Sequence, residues 1–381
     1  MIHRPELDRR SRILTTVSRV SHHHLLRAVL ATLALLALAG GGVALASTLS
    51  YHNPLRNPST GKPFSCPDPD VTDAPAPDSG YLLVCTSAFA SNALPIYSSQ
   101  DLVHWRPDGY VFPHGHQPGW AIKSGPGSRG QFWAPEIYSI DGRWVVYYAA
   151  EYNAKKLDLK VPGRGRLAPR TMVVGDAWAT SLRGPWHSAV LHYRGQFNGV
   201  GGQREGPGPA IDPSVVEDPV TGQLYLFWAD RSTQIWAGEL SANGLSLSPQ
   251  IHLVLRDSER FDCDPRDHHC TVEAPEPFYA NGMFYLLYSG GSTWDASYDV
   301  GVARSPSPFG PFAMLGHPIL RQDERFYGTG HPSHPVIGPD GNVYILYHAR
   351  TSPAFSLVSD KRYLMLGRFG WANGWPTISE P

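Results

Sequence analysis

The chain has 381 residues, 42% hydrophobic and 17% charged, and its 32 basic and 33 acidic side chains leave a net charge of −1. A nucleic-acid-binding domain needs a basic stripe, and a disordered chain needs low hydrophobicity with high net charge, so composition excludes both for the chain as a whole. Aromatic residues at 11%, with 38 glycines and 35 prolines, point to many short strands and tight turns rather than long helices.

The N-terminus stands apart. Arg4, Arg9, Arg10, Arg12, Arg19 and Arg27 precede or enter the apolar run LLRAVLATLALLALAGGGVALAS. Charged, then apolar, then small is the order of a secretory signal, and Ala44-Leu45-Ala46 places the cut after Ala46. An uncleaved anchor is the alternative, because the run is nearly bilayer length; the glycines at 40–42 weaken it. Residues 1–46 therefore read as a signal peptide, 47–63 as a linker and 64–381 as one folded domain. The expectation is a secreted, extracellular monomer with no membrane partner beyond a retained N-terminal anchor, and with no nucleic-acid partner. Export makes the four cysteines disulfide candidates. Four allow three pairings, and sequence proximity favours Cys66–Cys85 and Cys263–Cys270. The rival is a zinc site from Cys263, His268, His269 and Cys270, whose spacing matches no standard zinc pattern.

Five segments beyond residue 64 share one plan: a proline-containing acidic or histidine motif, a turn, then an aromatic strand. They are CPDPDVTDAPAPDSGYLLVCTS (66–87), FWAPEIYSIDGRWVVYYAAE (132–151), AIDPSVVEDPVTGQLYLFWAD (210–230), VEAPEPFYANGMFYLLYSGG (272–291) and GHPSHPVIGPDGNVYILYHAR (330–350). SGY, DGR, TGQ, NGM and DGN are hairpin turns. Each segment is followed by a second strand pair that begins with small residues. Four antiparallel strands per unit, five times over, predict an all-β fold, a five-bladed β-propeller. A pair of β-sandwiches has no reason to repeat one motif five times. In a propeller the first strand of each blade lines the central channel, so equivalent points on the five first strands converge. Asp68, Glu136, Asp212, Glu273 and His331 are aligned at that point, Glu136 falling one step beyond its proline rather than before it. Converging acids repel, so some must be paired, protonated or poised for chemistry. Glycoside hydrolysis needs two such carboxyls, one protonated and one ionised.

At these residues the chain resembles glycoside hydrolase family 43, over essentially all of 64–381. The matching pieces are C-P-D-P-D-V, Y-S-S-Q-D-L-V-H-W, F-W-A-P-E-I, A-I-D-P-S-V, V-E-A-P-E-P, V-G-V-A-R-S-P-S-P-F-G-P-F and G-H-P-S, in the family's order. The resemblance implies a five-bladed propeller glycosidase that inverts configuration, acting on pentose-containing polysaccharide or oligosaccharide. It implies Asp68 as general base, Glu273 as general acid and Asp212 as the acid that tunes and orients it. The activities implied are α-L-arabinofuranosidase or arabinanase first and β-xylosidase as the alternative; a non-catalytic glycan-binding propeller is a rival from another class. No cofactor is expected to be required. His331 matches the histidine that orders a central metal-and-water cluster in arabinan-cleaving members, where oxygen ligands around one neutral imidazole suit Ca²⁺ or Na⁺ better than zinc.

Each choice has a plainer rival. Asp70 is a turn residue ahead of a proline-rich stretch in that reading, and the motif favours Asp68. Glu276, three residues from Glu273, falls on the opposite face of an extended strand and reads as a surface or ion-paired carboxylate. Glu136 reads as satisfying backbone or an arginine. Trp133, Phe89 and Trp294 are candidates for stacking on sugar rings, against a background of tryptophans that pack between blades. The basic stretch 154–170 reads as an exposed loop.

Overall fold

The computed structural model describes residues 48–74, 80–128, 130–153, 155, 160–161, 165–166, 171–192, 210–230, 234–256, 271–293, 296–354 and 361–380. The expected signal peptide, Trp294, the Cys263–Cys270 pair with its zinc alternative, and most of the basic stretch lie outside them.

The described residues form five small antiparallel sheets arranged as the five blades of a β-propeller. Blade 1 runs Asp70–Asp73, Tyr81–Val84, Ala93–Ser99 and Arg106–Phe112 from the axis outward. Blade 2 uses Gln131–Ile140, Arg143–Glu151, Met172–Ala179 and His187–His192, with Ser87–Ala88 added to its inner edge. Blade 3 is Ile211–Glu217, Leu224–Ala229, Gln234–Leu240 and Leu247–Arg256. Val272–Ala280, Met283–Gly290, Asp299–Ser305 and Ala313–Met314 make blade 4. Tyr327–Gly330, Val343–Arg350, Tyr363–Ala372 and Trp375–Ser379 make blade 5, where Val336–Ile337 also pairs with the second strand.

The sequence rules that build each blade are local. Inner hairpins turn on Asp141-Gly142 and Asn281-Gly282, all four at positive φ between 50° and 77°, which is what a two-residue turn matched to strand twist requires. The second strands carry long apolar runs because they are covered on both faces by neighbouring blades: YLLV and LYLFWA are buried at every position. The small residues of the third strands make room for aromatics across the ladder. Gly175 sits opposite Tyr148 and Gly301 opposite Tyr288, and a Cβ at either would come within 3.1 Å of the tyrosine ring.

The cores lie between blades rather than within them. Phe112 packs with Phe132 across blades 1 and 2, Trp228 with Tyr138 across 2 and 3, Phe227 with Phe284 across 3 and 4, and Tyr285 with Tyr347 across 4 and 5. The ring closes between blades 5 and 1, where Tyr51, Leu55 and Phe64 join Leu83, Trp105, Leu346 and Leu364. The stretch expected as a linker is thus docked over residues 49–63. Leu55 N–H donates to the Leu364 carbonyl and Leu364 N–H to the Phe64 carbonyl, each within 2.9 Å. Next to this seam, Cys66 and Cys85 are disulfide-bonded with Cα atoms 5.3 Å apart, as their proximity in sequence suggested.

Candidate active site

Every inner strand breaks its ladder at the same place. Pairing skips residues 134–135, 212–213 and 274–275, and blades 1 and 5 skip 68–69 and 331–332 in the same way. The second skipped residue is always proline, which has no N–H to give the ladder and is tolerated in a strand at a bulge. The first is Asp68, Ala134, Asp212, Ala274 or His331, and all five hold φ between 43° and 54°. Left-handed backbone at a non-glycine residue costs about 1–3 kcal/mol, and here it occurs in each blade. The bulge turns that residue out of the pleat and resets the alternation that follows.

This sets the true equivalence of the repeats. Asp68 and Asp212 occupy the bulge, but Glu273 lies one residue before it and Glu136 two residues after. The alignment of Glu273 with Asp68 and Asp212 was one position off; its counterpart in blade 2 is Trp133. A second set of equivalents follows each proline: Asp70, Glu136, Ser214, Glu276 and Ser333. The channel therefore carries two groups of carboxyls.

In the first group, Asp68 is buried and heavily partnered. Arg362 Nη1 donates to its Oδ1 at 2.5 Å, and Thr86 Oγ1 donates to its Oδ2 at 2.6 Å. His331 Nδ1 and His348 Nδ1 lie 3.3 and 3.4 Å from Oδ1. Burial alone would raise its proton affinity, but the Arg362 guanidinium, helped by His331, His348 and Thr86, holds the carboxyl well below the ordinary range. Asp212 is the opposite case. Its Oδ2 accepts the Ala274 N–H at 3.0 Å, while burial first, then the negative charges of Glu273 and Asp68, push it well above the usual carboxylate range. Glu273 is half-buried, and Tyr298 Oη donates to its Oε1 at 2.9 Å. One carboxyl held toward its ionised form and another pushed toward its protonated form thus lie in one channel.

The remaining predicted residues divide. Trp133 is half-buried, packed against Ala149, Met172, Ile211 and Ala229. Phe89 is 55% exposed and at φ 57°, an aromatic that the core does not claim. His331 is buried with Nδ1 facing Asp68, and its own N–H donates to Ser289 Oγ at 2.8 Å. Arg362, His348, Thr86 and Tyr298 were not foreseen. Thr86 and His348 lie at the far ends of their repeated segments, and Tyr298 and Arg362 directly precede third strands, so none belongs to the proline-containing motif that opens each repeat.

The second group corrects three readings. Asp70 is not a turn residue but the first residue of its strand, 2% exposed; Glu276 is 0% exposed. The bulge, by adding residues between Glu273 and Glu276, cancels the face change that strict alternation demands. Among the described residues Glu136 meets neither a backbone donor nor an arginine but accepts from Tyr138 Oη at 2.7 Å. Glu276 accepts from Ser214 Oγ at 2.9 Å on one oxygen and lies 2.9 Å from His334 Nδ1 on the other. Burial, then Glu276, pushes Asp70 up to about 8, and burial with Asp70 and Glu276 raises Glu136 well above its ordinary value. A cleft of about 610 Å³ between blades 1 and 2, lined by Tyr81, Gln100, Asp108, Trp144 and Arg183, contains none of these acids.

Residues 57–376 match Glycosyl hydrolases family 43. The chain belongs to that family. It is a glycosidase, hydrolysing glycosidic bonds. It is 26% identical over 306 residues to the extracellular exo-α-(1→5)-L-arabinofuranosidase ArbA of Cellvibrio japonicus, covering 75% of this chain and 80% of that protein. It is 27% identical over 239 residues to the extracellular endo-α-(1→5)-L-arabinanase of Thermotoga petrophila, where the match spans 58% of this chain and 46% of the relative. A shorter match, 40% identical over 143 residues and 37% of each chain, is to the β-D-galactofuranosidase xynD of Aspergillus niger. The family-43 fold is also that of a thermostable family-43 glycoside hydrolase, with TM-score 0.68 at 22% identity over 87% of this chain and 96% of that one. The Cellvibrio cellulosa α-L-arabinanase complexed with arabinohexaose has TM-score 0.60 at 22% identity over 84% and 96%.

Proposed function

We propose that this family-43 enzyme is an exported, inverting α-L-arabinofuranosidase or arabinanase, with Asp68 as general base, Glu273 as general acid and Asp212 as the acid that tunes and orients Glu273. The observation that carries the reading is the electrostatic split in the channel: Asp68 is held ionised by Arg362, while buried Asp212 beside Glu273 favours a retained proton. In the proposed step Asp68 takes a proton from a water, and the water oxygen bonds to the anomeric carbon. The bond to the leaving oxygen breaks on the opposite face, and Glu273 delivers its proton to that oxygen. Phe89, exposed, and Trp133, at the position equivalent to Glu273, are the surfaces offered to sugar C–H faces. Trp294 is proposed for the same role from its sequence position.

His331 suits a central Ca²⁺ or Na⁺. Its Nδ1 faces Asp68, which leaves Nε2 as the lone-pair nitrogen, the arrangement that metal-ligating histidines use. Such an ion, when bound, supplies positive charge and ordered water beside the base. The chemistry above is carried by the chain's own groups.

A second reading is favoured by the identity to a β-D-galactofuranosidase: the substrate is selected as a furanoside. α-L-Arabinofuranose and β-D-galactofuranose share ring configuration and differ in the chain at C4, so one subsite can receive both. The test is a panel of aryl α-L-arabinofuranoside, aryl β-D-galactofuranoside, aryl β-D-xyloside and dyed arabinan on wild type, Asp68→Ala and Glu273→Gln. Arabinofuranoside cleavage is expected, with Asp68→Ala losing at least about 10²-fold and Glu273→Gln a similar factor on arabinan, whose leaving group is poor. Preference for the xyloside would replace the substrate reading, and full-rate arabinan cleavage by Glu273→Gln would overturn the acid. Release of the β-anomer from an α-linked substrate, seen by proton NMR within the first minutes, checks inversion.

A further inference from the structure

Given the roles proposed above for Asp68 as base and Glu273 as acid, on which this step rests, we infer that Thr86 and Ser289 are the positioning residues of the two carboxyls. Each is a buried hydroxyl that takes the N–H of the next blade's bulge and passes its own proton on toward Asp68 or Glu273.

One strand position recurs around the ring. Opposite the residue that precedes each bulge stand Thr86 in blade 1, Ala149 in blade 2, Ala229 in blade 3, Ser289 in blade 4 and His348 in blade 5. Where that residue is polar, its side chain accepts the bulge N–H of the following blade. Ala134 N–H donates to Thr86 Oγ1 at 2.7 Å, His331 N–H to Ser289 Oγ at 2.8 Å and Asp68 N–H to His348 Nδ1 at 3.2 Å. Opposite Ala229, the Ala274 N–H goes to Asp212 Oδ2 instead. A clamp needed only to hold blades together has reason to recur at every junction. The polar residues instead stand in the blades that carry the base, the acid and His331, and alanine stands in the other two.

A hydroxyl accepts on its lone pairs and has one proton to give. Thr86 accepts from Ala134, and its proton goes to Asp68 Oδ2 at 2.6 Å, a short bond to an ionised oxygen. The rotation of the base is thereby tied to the backbone of blade 2. Around Glu273 the path is one step longer. Ser289 and Tyr298 are hydrogen-bonded through their hydroxyls, and Tyr298 Oη donates to Glu273 Oε1 at 2.9 Å. With the Tyr298 proton committed to Glu273, Ser289 supplies the proton between the two hydroxyls. His331 N–H, Ser289, Tyr298 and Glu273 then form one chain with a single direction.

The tyrosine ring is held where the chain needs it. It lies parallel to the His348 ring, with centroids 5.9 Å apart and planes at 8°, and a Cβ at Gly330 would fall 2.3 Å from it. A neutral carboxyl accepts best on the oxygen that lacks the proton. Tyr298 at Oε1 therefore keeps the proton of Glu273 on Oε2, the oxygen that delivers it to the leaving group.

The test separates acid from base by leaving group. Wild type and variants are assayed on two substrates of the sugar that wild type prefers, a dinitrophenyl glycoside and an underivatised oligosaccharide. Only the second needs its leaving oxygen protonated, whereas both need the water activated. Ser289→Ala should lose about 10-fold in kcat on the oligosaccharide and little on the dinitrophenyl glycoside. Thr86→Val should lose about 10-fold on both, and Thr86→Ser, which keeps the hydroxyl but not the methyl, should stay within about 3-fold of wild type. Equal losses on both substrates, or none, from Ser289→Ala overturn its role. A Thr86→Val at full rate, or a Thr86→Ser as slow as Thr86→Val, overturns that of Thr86. Should melting curves show that a variant does not fold, Tyr298→Phe replaces Ser289→Ala and Thr86→Ala replaces Thr86→Val, judged in the same way. Glu273→Gln on the same pair of substrates isolates the underlying reading. Its full rate on the oligosaccharide defeats Glu273 as acid, while its loss there without a selective loss in Ser289→Ala overturns the relay alone.

Discussion

Arg362 reaches Asp68 across 294 residues of sequence, its Nη1 donating to the Oδ1 of the carboxylate at 2.5 Å. The contact spans the seam that closes the ring, joining the edge of blade 5 to the bulge that precedes blade 1. It also decides the ionisation of Asp68, because burial would otherwise favour the protonated acid.

Removing that guanidinium should move the acid side of the activity profile. With Arg362→Met the burial of Asp68 is no longer opposed by its strongest partner, so its proton affinity rises. The acidic limb of kcat/KM is expected to shift upward by at least about one pH unit, with a loss of 10-fold or more below pH 5. Stability follows the same sign. A carboxyl depressed on folding contributes stability above its unfolded pKa and loses it as pH falls, so wild type should gain more than the variant between pH 3 and 5. A pH–rate series with paired melting curves measures both, and an unmoved acidic limb would separate Arg362 from Asp68.

Two substitutions around Glu273 should move the basic limb in opposite directions. Tyr298→Phe removes the hydroxyl that donates to Glu273 Oε1. Loss of a hydrogen bond to the ionised form disfavours it, so activity should persist to higher pH. Asp212→Asn keeps an acceptor for the Ala274 N–H but removes one ionisable member of the Asp212–Glu273 pair. The limb should then fall to lower pH. A purely structural role for either side chain would lower kcat without displacing the limb.

The buried Asp176 gives a stability test away from the channel. Its Oδ1 accepts the Ala189 N–H at 3.1 Å, and burial pushes its pKa up to about 7. A carboxyl raised on folding is stabilising below its unfolded pKa, and that contribution is lost as pH rises through the folded one. Asp176→Asn should therefore flatten the decline in Tm between pH 4 and 7 and leave the variant more stable at pH 8, by at most about 4 kcal/mol. Chemical unfolding at several pH values reads this directly.

The Cys66–Cys85 bridge closes a loop across 19 residues, worth about 3 kcal/mol by loop entropy. Cys66→Ala with Cys85→Ala should lower Tm by about 5 °C or more. The effect should grow with denaturant exposure at the blade 5–blade 1 seam, which hydrogen exchange at Leu364 and Leu55 can locate.

The fold was legible because its signals are periodic and local: apolar second strands, glycine turns and one proline per inner strand. Asp68 and Asp212 were legible for the same reason, each preceding its proline. Glu273 was chosen by motif although its repeat position was misassigned, because a two-residue bulge is invisible to an alternation argument. That same bulge hid the burial of Glu276 and the partnership of Asp70 with Glu136. Arg362, His348 and Tyr298 could not be read at all, since nothing local marks a side chain whose role depends on ring closure or on a neighbouring blade.

The bulge recurs in all five blades, yet only three of its five positions carry a polar side chain. Ala134 and Ala274 hold the same left-handed backbone as Asp68 and Asp212. They are vacant seats around the axis. Asparagine and aspartate enter that conformation more readily than other non-glycine residues, so a polar group can be installed at either seat with the backbone already shaped to receive it. The scaffold thereby separates what keeps the ring together from what the ring does, and new specificity can be written at two addresses without rewriting a strand.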